Sequence, residues 1–188
     1  RELTDRPMIE EPLDIEKYVS HLPIHSLKAV AASEPAGEWG GRAQEEMIET
    51  LGWVRVRIPG QKLNDRMFIA QIKGSSMDNG QNDLTDGKYA VFQLWPVGTR
   101  QEKVVLVRGS FRDPETGTYA LKKYIGDVRD EEGIHRIIKL VSANPDKNRY
   151  PDIVLSPDQD ISVVAELITP LNSGDYGREP KRRTTSGK

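Results

Sequence analysis

Residues 53–58 of the chain read WVRVRI, and their alternation indicates the fold class. Val54, Val56 and Ile58 recur at every second position, with Arg55 and Arg57 between them. Successive side chains of a β-strand point to opposite faces, so the pattern places three aliphatic side chains on one face and two charged ones on the other. The stretch therefore predicts a strand with one buried face and one face in water.

Similar runs follow along the chain and predict further strands. They are rich in β-branched and aromatic residues, and turn-forming segments such as RDPETG and NPDKN separate them. Because no long helical pattern lies between these runs, we expect an all-β domain of several short antiparallel strands. The runs are MFIAQIK (67–73), YAVFQL (89–94), KVVLVRG (103–109), TYALKKYI (118–125), IHRIIKLV (134–141), DIVL (152–155) and ISVVAELI (161–168).

One short helix is predicted at AQEEMIETLG, residues 43–52. Ala43, Met47, Ile48 and Leu51 would share one face of this helix, and Gly52 would end it. No second segment has this spacing, so the prediction is a β-rich fold with at most one short helix.

Composition and charge narrow the class of protein. The chain has 188 residues, which suits one domain with a sizeable core. Its formal charge is -2, from 27 basic and 29 acidic residues, so direct binding of nucleic acid or a membrane surface is not expected, and KRR (181–183) is interpreted as part of a polar tail. The chain has no cysteine, which excludes disulfides and thiolate metal sites and suits the cytoplasm. No cofactor and no metal are predicted.

A pair of serines follows the run MFIAQIK, in the stretch GSSMDNGQNDLTDG at residues 74–87. A serine hydroxyl becomes a good nucleophile when a neighbouring base takes its proton, and a lysine kept neutral by burial can be that base. In YALKKY, Lys122 and Lys123 point to opposite faces of a predicted strand, so one of them must face the apolar side. The residue types therefore allow a serine/lysine pair.

The motifs together resemble the LexA/UmuD-type self-cleaving serine peptidases, which share a β-rich fold with type I signal peptidases. The pattern G-x-S-M, then D-G, then a strand with K-[RK], is matched by Gly74–Met77, by Asp86–Gly87 and by Lys122–Lys123, in that order. Upstream, AVAASEP (29–35) is similar to the segment in which LexA is cut. The resemblance covers residues 22–170, so residues 1–21 are expected to be a flexible extension or the remnant of a preceding domain, and residues 171–188 a polar, basic tail.

The resemblance implies a catalytic site and a substrate. Ser76 would be the nucleophile and Lys122 the general base, and the backbone N–H groups of Ser75 and Ser76 would stabilise the oxyanion. The substrate would be the chain itself, cut between Ala32 and Ser33 within the segment 28–37. Val30 and Ala31 would be the substrate residues before the cut, and the bond between Ala36 and Gly37 is the second candidate.

Two departures from the family pattern are visible. The residue after the predicted cut is Ser33, where the family has glycine. The separation of Ser76 and Lys122 is also longer than the family pattern leads us to expect, and RDPETGT is interpreted as an inserted hairpin.

Two functions remain open at this stage. The first is a self-cleaving peptidase that regulates a bacterial or phage stress-response or defence protein with an attached or associated effector domain. The second is a catalytically silent module of the same fold, used for dimerisation or switching. The resemblance implies a homodimer in both cases.

Overall fold

A computed structural model of the chain describes residues 3–10, 15–26, 49–113, 117–129, 135–155 and 161–180. The described residues contain eleven strands and no helix, so the all-β prediction is confirmed. No helix long and apolar enough to cross a membrane occurs in these ranges. The strands are β1 (Leu3–Pro7), β2 (His21–Ser26), β3 (Glu49–Arg55), β4 (Met67–Gln71), β5 (Tyr89–Leu94), β6 (Val104–Asp113), β7 (Gly117–Arg129), β8 (His135–Val141), β9 (Ile153–Leu155), β10 (Ile161–Pro170) and β11 (Arg178–Pro180).

Nine of these strands form one sheet, in the order β3-β2-β4-β5-β10-β6-β7-β8-β9. Neighbouring strands are antiparallel except β2 and β4, which run parallel with Ile24 beside Ile69 and His25 beside Ala70. The segment RDPETGT, interpreted as an inserted hairpin, lies where the long strands β6 and β7 meet. These strands pair from Val104 and Lys123 to Asp113 and Gly117, with a register shift between Arg108 and Asp113. Lys122 pairs with Val105 in the regular part of this hairpin.

The buried apolar side chains form three clusters. Successive residues of a strand point to opposite faces, and strands such as β4 are buried on both, so Phe68 belongs to the first cluster and its neighbour Ile69 to the second. The first cluster contains Phe68 and Phe92, whose rings stack with centroids 5.5 Å apart, together with Met77 from the GSSM turn. The second includes Leu22 and Val54, and the third lies on β6, β7, β8 and β9. Members of the third cluster are Val105, Val107, Ala120, Tyr124, Leu140 and Leu155.

The two ends of the described chain pair with each other and with the main sheet. Strand β1 is antiparallel to β11, and Ile9 forms a bridge with Val54 in β3. Glu10 continues this contact, because its N–H donates to the carbonyl of Trp53. The hydroxyl of Tyr176 donates to the carbonyl of Asp5, at 2.9 Å. Described residues from both segments outside the predicted peptidase domain, 1–21 and 171–188, thus cover the edge of its sheet at β3.

The sequence predicted eight strands, and each overlaps a strand of the structure. The run 89–94 matches β5 at both ends, whereas WVRVRI overlaps β3 only at its start, since β3 begins at Glu49 and ends at Arg55. Strands β1, β2 and β11 were not predicted. Each is short and lacks a clean alternation, and β2 carries Pro23 and two histidines.

The predicted helix 43–52 is wrong where the structure describes it. Residues 49–52 belong to β3, where Thr50 pairs with His25 and Gly52 with Ile24; residues 43–48 lie outside the described residues. The side chain of Leu51, expected on the buried face of a helix, is half exposed. Residues 49–52 gain backbone hydrogen-bond partners by pairing with β2. An isolated short helix is only marginally stable, so the strand forms although the spacing of apolar residues favours a helix.

Gly52 should be difficult to replace, because β3 passes close to the N-terminal segment there. Its φ is +153°, and a Cβ at this position would lie 2.4 Å from Cγ2 of Ile9. We expect Gly52→Ala to lower the free energy of unfolding by about 1–3 kcal/mol, as measured by urea denaturation. Gly98→Ala is the matched control, because Gly98 also has a positive φ but open space around it. Equal losses in both variants would contradict the predicted contact with Ile9.

His25 should make stability depend on pH. Burial lowers the pKa of His25 to about 4 from its ordinary 6.5, so the unfolded chain takes up a proton that the folded chain refuses. The free energy of unfolding should therefore fall as pH falls from 6.5 to about 4, and His25→Gln should remove this part of the dependence. Urea titrations of both proteins across this range test it; the same slope in both would refute it. The pKa of Glu10 is lowered in the folded chain, so this residue makes stability depend on pH mainly below its ordinary pKa of 4.5.

Candidate functional site

The predicted nucleophile lies in a tight turn directly after β4. Gly74 has φ +77°, which favours glycine, and its N–H donates to Oδ1 of Asp86 at 2.8 Å. The N–H of Asp78 donates to the carbonyl of Ser75 at 3.1 Å and closes the turn. Met77 is buried in the first apolar cluster and anchors the turn to the core. The G-S-S-M motif is thus joined to the D-G motif by the hydrogen bond between Gly74 and Asp86. We call residues Gly74–Asp78 the nucleophile turn.

Ser76 is only partly buried, and its donor groups are available. Within the described part of the chain, neither its hydroxyl nor its backbone N–H makes a hydrogen bond, and the same holds for the N–H of Ser75. These are the groups that the sequence proposes as nucleophile and oxyanion donors. The Ser76 hydroxyl is also not hydrogen-bonded to Lys122 in this arrangement.

Lys122 faces the apolar side of the sheet, as one of the two lysines was expected to do. Its side chain is 5% exposed, and it lies in β7 between Ala120 and Tyr124, two members of the third apolar cluster. Nζ of Lys122 donates to Oγ of Ser142 at 2.8 Å. Ser142 is itself buried, and its hydroxyl donates to the carbonyl of Pro151 at 3.4 Å, which leaves its lone pairs for the amine.

One short segment, Ser142–Asn144, contacts both predicted catalytic residues. Ser142 holds the amine of Lys122, while the N–H of Asn144 donates to the carbonyl of Ser76 at 3.0 Å. The Cα atoms of Ser142 and Asn144 can be at most about 7 Å apart, because only two peptide units join them. The chain after β8 therefore contacts both the nucleophile turn and the lysine.

Asp152 closes the loop that follows this segment. Its Oδ1 accepts hydrogen bonds from the N–H of Ser142 at 3.0 Å and from Nζ of Lys147 at 2.8 Å. Burial alone would raise the pKa of Asp152, but these two hydrogen bonds and the charges of Lys147 and Lys122 together hold it below its ordinary value. The carboxylate stays ionised near neutral pH and fixes the loop from Ser142 to Asp152.

The predicted scissile bonds, Ala32–Ser33 and Ala36–Gly37, lie outside the described residues, as do the predicted substrate residues Val30 and Ala31. The structure describes the strands on either side of this segment. Ser26 at the end of β2 pairs with Glu49 at the start of β3, so the chain leaves and returns at one point. Because β2 runs parallel to β4, this point is at the end of the sheet from which β4 leads to the nucleophile turn.

A serine, a histidine and a glutamate also meet elsewhere, in an arrangement that the sequence did not predict. His21 is fully buried; Nε2 contacts Oε2 of Glu10 and Nδ1 contacts Oγ of Ser20, both at 2.9 Å. Nδ1 also accepts the N–H of Glu16, and the Ser20 hydroxyl donates to the Glu16 carboxylate. The histidine hydrogen bond is the main cause that lowers the pKa of Glu10. These bonds attach the N-terminal segment to the sheet and leave Ser20 without a free base.

Ser142, Asn144 and Asp152 were missed by the sequence reasoning, which interpreted NPDKN as a turn. Polar residues directly after a strand, Ser142 and Asn144, were the available signal, but their partners are distant in sequence. Among the described residues, no group of three or more His, Cys, Asp or Glu side chains could hold a metal ion. Comparison of the chain with protein families and with curated proteins gives no match.

The bond between Lys122 and Ser142 should be measurable as a coupling energy. A buried amine that loses a hydrogen-bond partner costs about 1–3 kcal/mol. We expect Ser142→Ala to destabilise the wild type by this amount and to cost clearly less in a Lys122→Met background. Urea denaturation of the four proteins gives the double-mutant cycle. Additive losses would show that the two side chains do not interact.

Proposed function

We propose that the chain is a serine peptidase domain that cleaves itself, with Ser76 as nucleophile and Lys122 as general base. The observation that carries the proposal is the segment Ser142–Asn144, which contacts the buried amine through Ser142 and the nucleophile turn through Asn144. Burial of the lysine supports the role of base, because removal from water disfavours the charged amine. A base and nucleophile that are not hydrogen-bonded at rest are compatible with this chemistry, since such bonds often form only when substrate is bound.

The proposed reaction has two steps. Oγ of Ser76 attacks the carbonyl carbon of Ala32 while neutral Lys122 takes the hydroxyl proton, and the amine then returns that proton to the nitrogen of Ser33 as the peptide bond breaks. The resulting ester joins Ser76 to Ala32. Water then attacks the ester carbonyl while Lys122 takes one of its protons and passes that proton to the departing Oγ of Ser76. This restores the serine hydroxyl and leaves Ala32 as a carboxylic acid, which ionises to a carboxylate. The N–H groups of Ser75 and Ser76 would stabilise the oxyanion in both steps.

Delivery of the substrate is supported by the direction of β2. Ala32 is six residues after Ser26, so the chain between them can reach about 20 Å. Ser26 lies at the end of the sheet from which β4 leads to the nucleophile turn. A substrate held on the same chain makes the attack unimolecular, which can lower the barrier by about 7–11 kcal/mol if the alignment is good.

The cut would break the covalent connection between β2 and β3, so that β2 would stay in the sheet only through its pairing with β3 and β4. A regulatory role would follow from weakening the attachment of the residues before the cut. The family resemblance supports a stress-response or defence protein, a homodimer and an attached or associated effector domain. The competing proposal is a silent module with the same fold, in which Ser76 has no chemical task.

Self-cleavage is tested by incubating the purified chain at about pH 7 and about pH 10, where more of a lysine population is neutral. Mass spectrometry should find one fragment that ends at Ala32 and one that begins at Ser33, and their amount should grow faster at the higher pH. Fragments from a cut between Ala36 and Gly37 would support the second candidate bond.

Neighbouring residues of the same type provide the controls. Ser76→Ala and Lys122→Ala should abolish cleavage, whereas Ser75→Ala keeps the backbone donor and Lys123→Ala changes the opposite face of β7, so both should cleave. An intact wild-type chain at both pH values would contradict the peptidase proposal and favour the silent module. Cleavage that continues in Ser76→Ala would reject Ser76 as the nucleophile.

A further inference from the structure

Asn144 binds the nucleophile turn twice. Nδ2 donates to the carbonyl of Ser75 at 2.8 Å, and its backbone N–H donates to the carbonyl of Ser76 at 3.0 Å. The two serines therefore have both carbonyl groups held by one residue from the other side of the site. This contact is long-range, so it depends on the fold and not on the local turn.

The neighbouring loop fixes the orientation of the Asn144 amide. Oδ1 accepts the N–H of Asp146 at 2.9 Å, so Nδ2 is the group that faces Ser75. The loop in turn is held by its own contacts: Lys147 donates to the carbonyl of Ser142 and to Asp152, and the N–H of Tyr150 donates to the carbonyl of Asp146. Asn144 thus lies in a loop whose conformation is held by several hydrogen bonds.

Holding the Ser75 carbonyl also fixes the direction of an N–H group. The C=O of Ser75 and the N–H of Ser76 belong to one planar trans peptide, in which they point in opposite directions. When Nδ2 of Asn144 draws the carbonyl toward the loop, the N–H of Ser76 is turned away from the loop. That N–H makes no hydrogen bond to the described residues.

We propose that Asn144 is a positioning residue that aims the backbone N–H of Ser76 at the oxyanion. This inference rests on the proposed self-cleavage. In the role that we propose for it, Asn144 contacts neither the substrate nor Lys122. The two residues of this segment then have different roles: Ser142 positions the base, and Asn144 positions the oxyanion donor.

The roles of Ser142 and Asn144 can be distinguished by measuring the rate of self-cleavage as a function of pH. The plateau rate at high pH reports the geometry of attack and of the oxyanion donor, and the midpoint pH reports the base. Asn144→Ser removes the amide donor but keeps a hydroxyl that can accept the N–H of Asp146. We expect a plateau about 100-fold lower with an unchanged midpoint, the size of effect seen when one oxyanion donor is lost. Ser142→Ala should shift the midpoint pH of the rate profile, because Ser142 contacts the proposed base.

Asn148→Ala is the matched control, because Asn148 lies exposed in the same loop. It should keep both the plateau and the midpoint of the wild type. Rates are divided by the folded fraction from circular dichroism, and Asn144→Ala serves as a second variant. Hydrogen exchange of the Asp78 amide, which donates to the Ser75 carbonyl, should be faster in both Asn144 variants than in Asn148→Ala.

Each result has a distinct meaning. A plateau within about threefold of the wild type in both Asn144 variants would overturn this inference and leave the peptidase proposal intact. A lower plateau together with a shifted midpoint would also overturn it, because Asn144 would then act on the base. A wild-type chain that never cleaves would overturn the peptidase proposal and this inference with it.

Discussion

The hydrogen bond between Lys122 and Ser142 is the contact on which the geometry of the candidate site depends. An amine on an apolar sheet face is unfavourable unless it is hydrogen-bonded. This bond forms because β7 and β8 pair in the register that sets Lys123 opposite Val141, so that Ser142 follows beside Lys122. A slip by one residue would turn Ser142 to the other face. The register of two strands is therefore tied to the position of the loop that reaches the nucleophile turn.

The strands that could be predicted are those whose local pattern agrees with their environment. YAVFQL forms β5 at the predicted bounds because its side chains pack into the apolar clusters on both faces. Strands β1 and β11 are short, and each becomes a strand by pairing with the other end of the described chain. Strand β2 carries His21, which no hydrophobic pattern would place at zero exposure. Its burial depends on Glu10 and Glu16, and a sequence window cannot supply such partners.

The candidate site could likewise be predicted from the sequence only in part. Ser76 and Lys122 were identified from motifs, and the alternation of YALKKY correctly predicted that one lysine would be buried. Ser142 and Asn144 could not be identified from spacing, because Ser142 is 20 residues from Lys122 and Asn144 is 69 from Ser75. Polar residues after a strand usually form a turn. Here two of them also bind other elements, a role that only the folded arrangement of β7, β8 and the nucleophile turn makes visible.

The two halves of the proposed dyad are anchored in different parts of the core. Met77 attaches the nucleophile turn to the first apolar cluster, while Lys122 lies between residues of the third. The contacts of Ser142 and Asn144 join them, and these bonds are few compared with the strand pairing that holds each cluster. Small changes in the loop from Ser142 to Asp152 would thus alter the contacts of the proposed nucleophile turn and of the proposed base while the strand pairing is kept. If the proposed activity is regulated, this loop is where a modest energy has the largest effect on catalysis.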